Sequence, residues 1–272
     1  MLRIILAGLL GVPCLLVTMA TAPIIAILSI PSLLLLVFRK EGGDAHSSTA
    51  KTTHVVVFGG SKGIGLAIAK ECAVKKNLGN NVRITILARN KETLERAKEE
   101  ICSLVVAGST TIVEAISANV SDYPALETIA KKIAKPKERT VVFNCAGIPY
   151  TLEYDKIPIE VYEKLCQTNL LGSMKISRAF LPHMENGCIV LCSSALGQVG
   201  MYGYTAYSPT KFALRGFAEA LHAELVKSKP GVSIQLAYPV DTETPGYSEE
   251  LKMMPELTKL LNDAGGLAKP KE

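Results

Sequence analysis

This chain has little of what a metal or disulfide protein needs. Its seven cysteines and four histidines are dispersed and offer no set of paired ligands, so a zinc site is not expected. The same scatter argues against a disulfide framework and for a reducing compartment, such as the cytosolic side of a membrane. No internal repeat is present, which excludes solenoid and propeller architectures. The net charge of +5 is modest and spread along the sequence without a nucleic-acid-binding motif. No nucleic-acid partner is therefore expected, while mild attraction to anionic lipid is in keeping with the charge. Between Ile4 and Phe38 there is no charged residue at all.

That run exceeds the roughly 20 residues a helix needs to cross a bilayer. It also exceeds the ~7–15-residue apolar core of a secretory signal. It reads as a hydrophobic membrane anchor over residues 1–38, with membrane lipid as a partner. Pro13, Pro23 and Pro31 divide it, leaving open one kinked span or two short passes. Arg39 and Lys40 favour a cytosolic catalytic domain, and Arg3 keeps the hairpin alternative open. Residues 39–53 form a polar linker. From residue 54 to 272, strand-like and helix-like patterns alternate, as a parallel sheet with crossover helices requires. The length suits one α/β domain with a sizeable core.

Chemistry is concentrated in Tyr207-Ser208-Pro209-Thr210-Lys211, which follows Ser194. Residues four apart on a helix share a face, so the Lys211 ammonium can lie beside the Tyr207 hydroxyl. A free tyrosine titrates near pH ~10, and a neighbouring cation is expected to lower that toward the range useful for proton transfer. Ser194 can polarise a carbonyl while Tyr207 gives or takes the proton. Pro209 is acceptable in the first helical turn, where its missing N–H has no partner to lose.

Upstream, Val55-Val56-Val57-Phe58 runs into Gly59-Gly60-Ser61-Lys62-Gly63-Ile64-Gly65 and then an apolar pattern of helical period. This is a strand, a glycine turn and a helix, the arrangement that brings backbone N–H groups to a pyrophosphate. The next strand, Arg83 to Ala88, ends in Arg89 where a cofactor with a free ribose 2′-hydroxyl would want an acid. An arginine suits a 2′-phosphate, and Lys62 adds a second cation, so the expected cofactor is NADPH.

Together these motifs resemble the short-chain dehydrogenase/reductase family over roughly residues 54 to 246. The resemblance implies a Rossmann-type doubly wound parallel sheet, and it extends the cofactor set. Asn119 and Val120 match the segment bordering the adenine, and Asn144, Ala146 and Gly147 a turn that departs from the family only at Cys145. Pro239, Thr242 and Thr244 match the segment that contacts the nicotinamide amide. Asn169 matches the residue that holds a proton-relay water. Phe58 departs from the family's threonine. No apolar strand follows Val232 to Tyr238, so the C-terminal part is expected to be short of a helix and a last strand. Segments 54–57, 204–207, 211–221 and 237–246 further resemble a branch acting on long-chain sphingoid ketones, which implies an endoplasmic reticulum membrane location. Asp241 and Glu243 are then candidates to steer the substrate's amino group. Steroid, retinoid or acyl ketones remain alternative substrates, as does a non-catalytic NADP-binding role; the oligomeric state is open, a homo-oligomer included.

Overall fold

The structure, a computed structural model, describes residues 24–25, 52–74, 78, 81–106, 108–239 and 241–263. The expected anchor lies outside the described residues apart from Ile24 and Ile25, as do most of the linker and residues 264–272. No helix among the described residues is long and apolar enough to cross a membrane.

Six parallel strands form the sheet: β1 (Thr53–Phe58), β2 (Val82–Ala88), β3 (Ile112–Ser117), β4 (Arg139–Asn144), β5 (Gly187–Cys192) and β6 (Val232–Ala237). Their spatial order is β3-β2-β1-β4-β5-β6, with the two-residue strand Ile24–Ile25 pairing beyond β6 against Leu236 and Ala237. This is the expected doubly wound fold, and the order reverses between β1 and β4, where such sheets place ligands. Thr53, assigned to the linker by sequence, already pairs with Val82 and Arg139.

Alternation along β1 sends Val55 and Val57 to one face and Val56 and Phe58 to the other. The first face packs on α1 (Gly63–Val74) and α2 (Lys91–Ser103) through Ile68, Leu94 and Ile101. The second packs on α3 (Tyr123–Ile133), α5 (Gly172–Phe180) and α6 (Tyr207–Ser228) through Leu126, Phe180 and Leu214. Both faces are covered, which is why the strands read as continuous apolar runs. Capping fixes where the helices begin. Asn90 accepts the Thr93 N–H at 2.8 Å and Asp122 the Ala125 N–H at 3.1 Å, each worth about 1 kcal/mol. α4 (Ile159–Leu165), α7 (Pro245–Leu251) and α8 (Glu256–Asp263) complete the described helices. Phe58 meets Phe180 edge to face, with ring centroids 5.7 Å apart. Aromatic packing stands where the resembling family carries a threonine hydroxyl.

The amino ends of the strands carry a buried polar cluster. Arg83 donates to His54 Nδ1 at 3.0 Å, to the Ile133 carbonyl at 2.6 Å and to Glu138 at 2.7 Å. With Nδ1 accepting, Nε2 carries the proton and donates to Thr85 Oγ1 at 2.9 Å. Burial first, and the Arg83 charge second, lower the His54 pKa to about 3.

Candidate active site

The carboxyl ends of the strands open on a cavity of about 720 Å³. The glycine turn forms one wall, because its backbone takes conformations that side chains oppose. Gly59 has φ +74° and Gly63 φ +57°, the left-handed region glycine enters without penalty. A Cβ on Gly59 would stand 2.8 Å from the Cys145 carbonyl carbon, so the β1 and β4 turns touch backbone to backbone. Thr244, which caps α7 by accepting the Tyr247 N–H at 3.2 Å, closes against Gly63.

At one end of the cavity stand Ser61, Lys62, Ile64, Gly65, Arg89, Asn119 and Val120. Lys62 and Arg89 are exposed, and neither forms an ion pair among the described residues. Asn90 and Thr93 line the same end. Sequence reading passed over them, although a residue capping a helix directly after Arg89 was a usable signal. Two free cations and a helix start suit a phosphate-bearing ligand.

Ser194, Tyr207 and Lys211 meet at the other end, with Ala146, Gly147, Pro239 and Thr242. Tyr207 opens α6, and Ser194 leads into a short 3₁₀ turn whose Leu196 N–H it accepts at 3.1 Å. That leaves the Ser194 hydroxyl proton free to point at Tyr207, with which it is hydrogen-bonded. Lys211 Nζ lies 5.5 Å from the Tyr207 ring centroid and donates to the Cys192 carbonyl at 2.8 Å.

The expected lowering of the Tyr207 pKa by Lys211 is not what this geometry produces. Burial raises it, the charges of Glu250 and Cys192 add to that, and only the Ser194 hydroxyl opposes them. The ammonium sits against a carbonyl over the ring, and burial lowers its own pKa too. Tyr207 consequently keeps its proton through the neutral range, as a donor should. Cys145 follows β4 and Cys192 ends β5, each one step past the paired Asn144 and Leu191. Their thiols share a hydrogen bond that holds Cys192 low, helped by Lys211, and pushes Cys145 up.

Asn169 and Asn144 do not line the cavity; both brace it from behind. Asn169 sits in a π-helical stretch, Cys166–Leu171, a widening common at functional sites. Its Oδ1 accepts the Ile148 N–H at 2.9 Å, and its Nδ2 donates to the Ile148 carbonyl at 3.0 Å and to Thr210 at 3.2 Å. Thr210 in turn donates to the Tyr207 carbonyl at 2.7 Å, so Asn169 ties the β4 turn to the first turn of α6. Asn144 donates to Ser173 at 2.7 Å and accepts the Ala146 N–H at 3.2 Å, which shapes that turn. Of the two acids considered for an amino group, Asp241 lines the cavity, whereas Glu243 is exposed and outside it. Glu250 of α7, which no sequence pattern singled out, lines it too.

A glycine turn, paired cations and a serine–tyrosine–lysine set in one cavity define a nucleotide-dependent oxidoreductase site, and the family model for short chain dehydrogenase matches residues 53–254. The chain belongs to the short-chain dehydrogenase family. Among curated proteins it is 41% identical over 226 residues to the 3-ketodihydrosphingosine reductase of Mus musculus and 39% identical over 226 residues to the 3-dehydrosphinganine reductase of Danio rerio. Those alignments cover 80% of this chain and 65% of each relative, so the chain spans just under two thirds of their length. Among solved structures, an actinorhodin polyketide ketoreductase with NADPH superposes with a TM-score of 0.67 at 22% identity, covering 82% of this chain and 88% of that one. That likeness is one of fold.

Proposed function

We propose that this chain reduces the C3 ketone of 3-ketodihydrosphingosine to dihydrosphingosine, with NADPH as reductant. The observation that carries the reading is the convergence of Ser194, Tyr207 and Lys211 on the cavity that also holds the glycine turn and Arg89. The names of the relatives supply the substrate class, and the solved NADPH complex supports the cofactor.

The residues fit that cofactor. Gly59, Gly63 and Gly65 let the backbone approach a pyrophosphate, Ser61, Ile64 and Lys62 border it, and Arg89 suits the 2′-phosphate. Asn119 and Val120 would flank the adenine, and Ala146, Gly147, Pro239, Thr242 and Thr244 the nicotinamide end, with Asn144 holding the turn. Bound there, the nicotinamide supplies a hydride equivalent to the carbonyl carbon. Ser194 donates a hydrogen bond to the carbonyl oxygen as negative charge develops on it. Tyr207, kept protonated by burial, gives its proton to that oxygen. Lys211, its ammonium held by the Cys192 carbonyl at 2.8 Å, stands at the same end of the cavity, where it would hold the nicotinamide ribose. Asn169 and Thr210 hold this end of α6 in register and stand beside any relay of protons back to Tyr207.

The uncharged N-terminal run serves as a membrane anchor in this reading, with the catalytic domain on the cytosolic face of the endoplasmic reticulum. A substrate whose long tail stays in the bilayer is then presented at the surface where the cavity opens. The test is NADPH oxidation by membranes carrying the full chain, comparing 3-ketodihydrosphingosine with a steroid ketone and retinal. The sphingoid ketone should be consumed at least tenfold faster than either; preference for another ketone overturns the assignment. Arg89→Ala should weaken NADPH binding at least tenfold more than NADH binding, because a charge-assisted contact with the 2′-phosphate is lost. Fluorescence titration with both cofactors reads this, and equal losses would remove Arg89 from phosphate recognition.

A further inference from the structure

Glu250 is a buried carboxyl group beside the catalytic residues, and no counter-ion meets it among the described residues. It is 8% exposed, lines the cavity with Ser194 and Tyr207, and after burial its charge is the largest influence on Tyr207. Its protein partner is the Tyr204 hydroxyl, which also bonds Asn262. Asp241, half-buried in the segment after β6, lines the same cavity and acts on Glu250, Tyr204 and Tyr207 alike. Among the described residues, neither acid forms an ion pair with a lysine, arginine or histidine. Burying a carboxylate without a partner is costly, so such a group holds its proton more tightly until an opposite charge arrives to complete the arrangement.

The reduced ketone has a neighbour of the right chemistry. In a 2-amino 3-ketone the amine stands one carbon from the carbonyl, so a carbonyl oxygen held by Ser194 and Tyr207 places the amine beside the groups that border Tyr207. We propose that Glu250, assisted by Asp241, receives the substrate's 2-ammonium group and so selects 2-amino ketones over ketones that lack the amine. The inference rests on the reading of the substrate as a sphingoid ketone, and it adds the residue that recognises the sphingoid head. Burial holds Glu250 at about 7, close to where an amine beside a carbonyl gives up its proton. One shared proton therefore serves both partners: carboxylate with ammonium, or carboxyl with free amine.

Glu250→Gln keeps the shape and can still accept from Tyr204, so it removes charge alone. In the full-length chain, kcat and KM are measured for 3-ketodihydrosphingosine and for the same-length 3-ketone carrying hydrogen in place of the amine. The ratio of the two kcat/KM values should fall at least tenfold in Glu250→Gln, chiefly through KM for the amino ketone. Asp241→Asn, which leaves the Tyr204 contact alone, should move the ratio the same way by a smaller factor, and it carries the test if Glu250→Gln no longer binds NADPH. Equal losses on both ketones would make these acids structural and overturn the inference while leaving the reductase assignment standing. A parent protein that turns over the plain ketone but not the amino ketone overturns both.

Discussion

Tyr207→Phe should lower kcat by roughly 10²–10⁴-fold, the range that a positioned proton donor contributes. NADPH affinity should stay within a few-fold of the parent, because the ring, its contact with Lys211 at 5.5 Å and the 6.0 Å approach to the Tyr204 ring are all retained. Only the phenolic hydroxyl is lost. The Ser194 hydroxyl loses its partner as well, yet it faces the cavity and can turn to the substrate oxygen. Stopped-flow turnover together with cofactor titration separates the two quantities. A variant within tenfold of the parent in kcat would show that another group delivers the proton.

Gly65→Ala should abolish NADPH binding at micromolar concentrations and destabilise the fold. A Cβ at this position presses on the Gly59 carbonyl oxygen, lies 2.8 Å from that carbonyl carbon and stands 3.2 Å from the Gly60 nitrogen. These are backbone atoms of the turn that borders the cofactor, so relief requires the turn itself to move. Gly216→Ala provides the contrast within one protein. Its Cβ meets nothing within 4 Å on α6. That change should raise stability by about 0.5–1 kcal/mol with cofactor affinity intact. Thermal melts with and without NADPH read both variants; unchanged binding in Gly65→Ala would mean the turn does not hold the pyrophosphate.

Much of this was legible in the sequence because the motifs are local. Val55 to Gly65 encodes a strand, its turn and a helix start in consecutive residues. Tyr207 and Lys211 share a helical turn, so spacing alone brings them together. What escaped depends on contacts between distant segments. The motifs name Asn169 as a holder of a relay water and Asn144 as part of a turn, but not their hydrogen bonds to Ile148, Thr210 and Ser173, which join segments far apart in the sequence. Glu250 becomes a cavity wall only when α7 packs beside Tyr204. The pKa of Tyr207 was misjudged for a similar reason: spacing supplies the nearby cation, whereas the burial that outweighs it arises from the assembled fold.

The cluster beneath the sheet ties the stability of the fold to pH. A histidine in an unfolded chain takes up a proton near pH 6.5, whereas His54 in place does so only near 3. Between those limits the unfolded chain binds more protons than the native one, so native stability declines steadily as pH falls through that window. Protonation would set a second N–H against the Arg83 guanidinium, with the β1–β2 pairing at stake. Acid therefore weakens this protein at the floor of its sheet, at the opposite ends of the strands from Ser194, Tyr207 and Lys211.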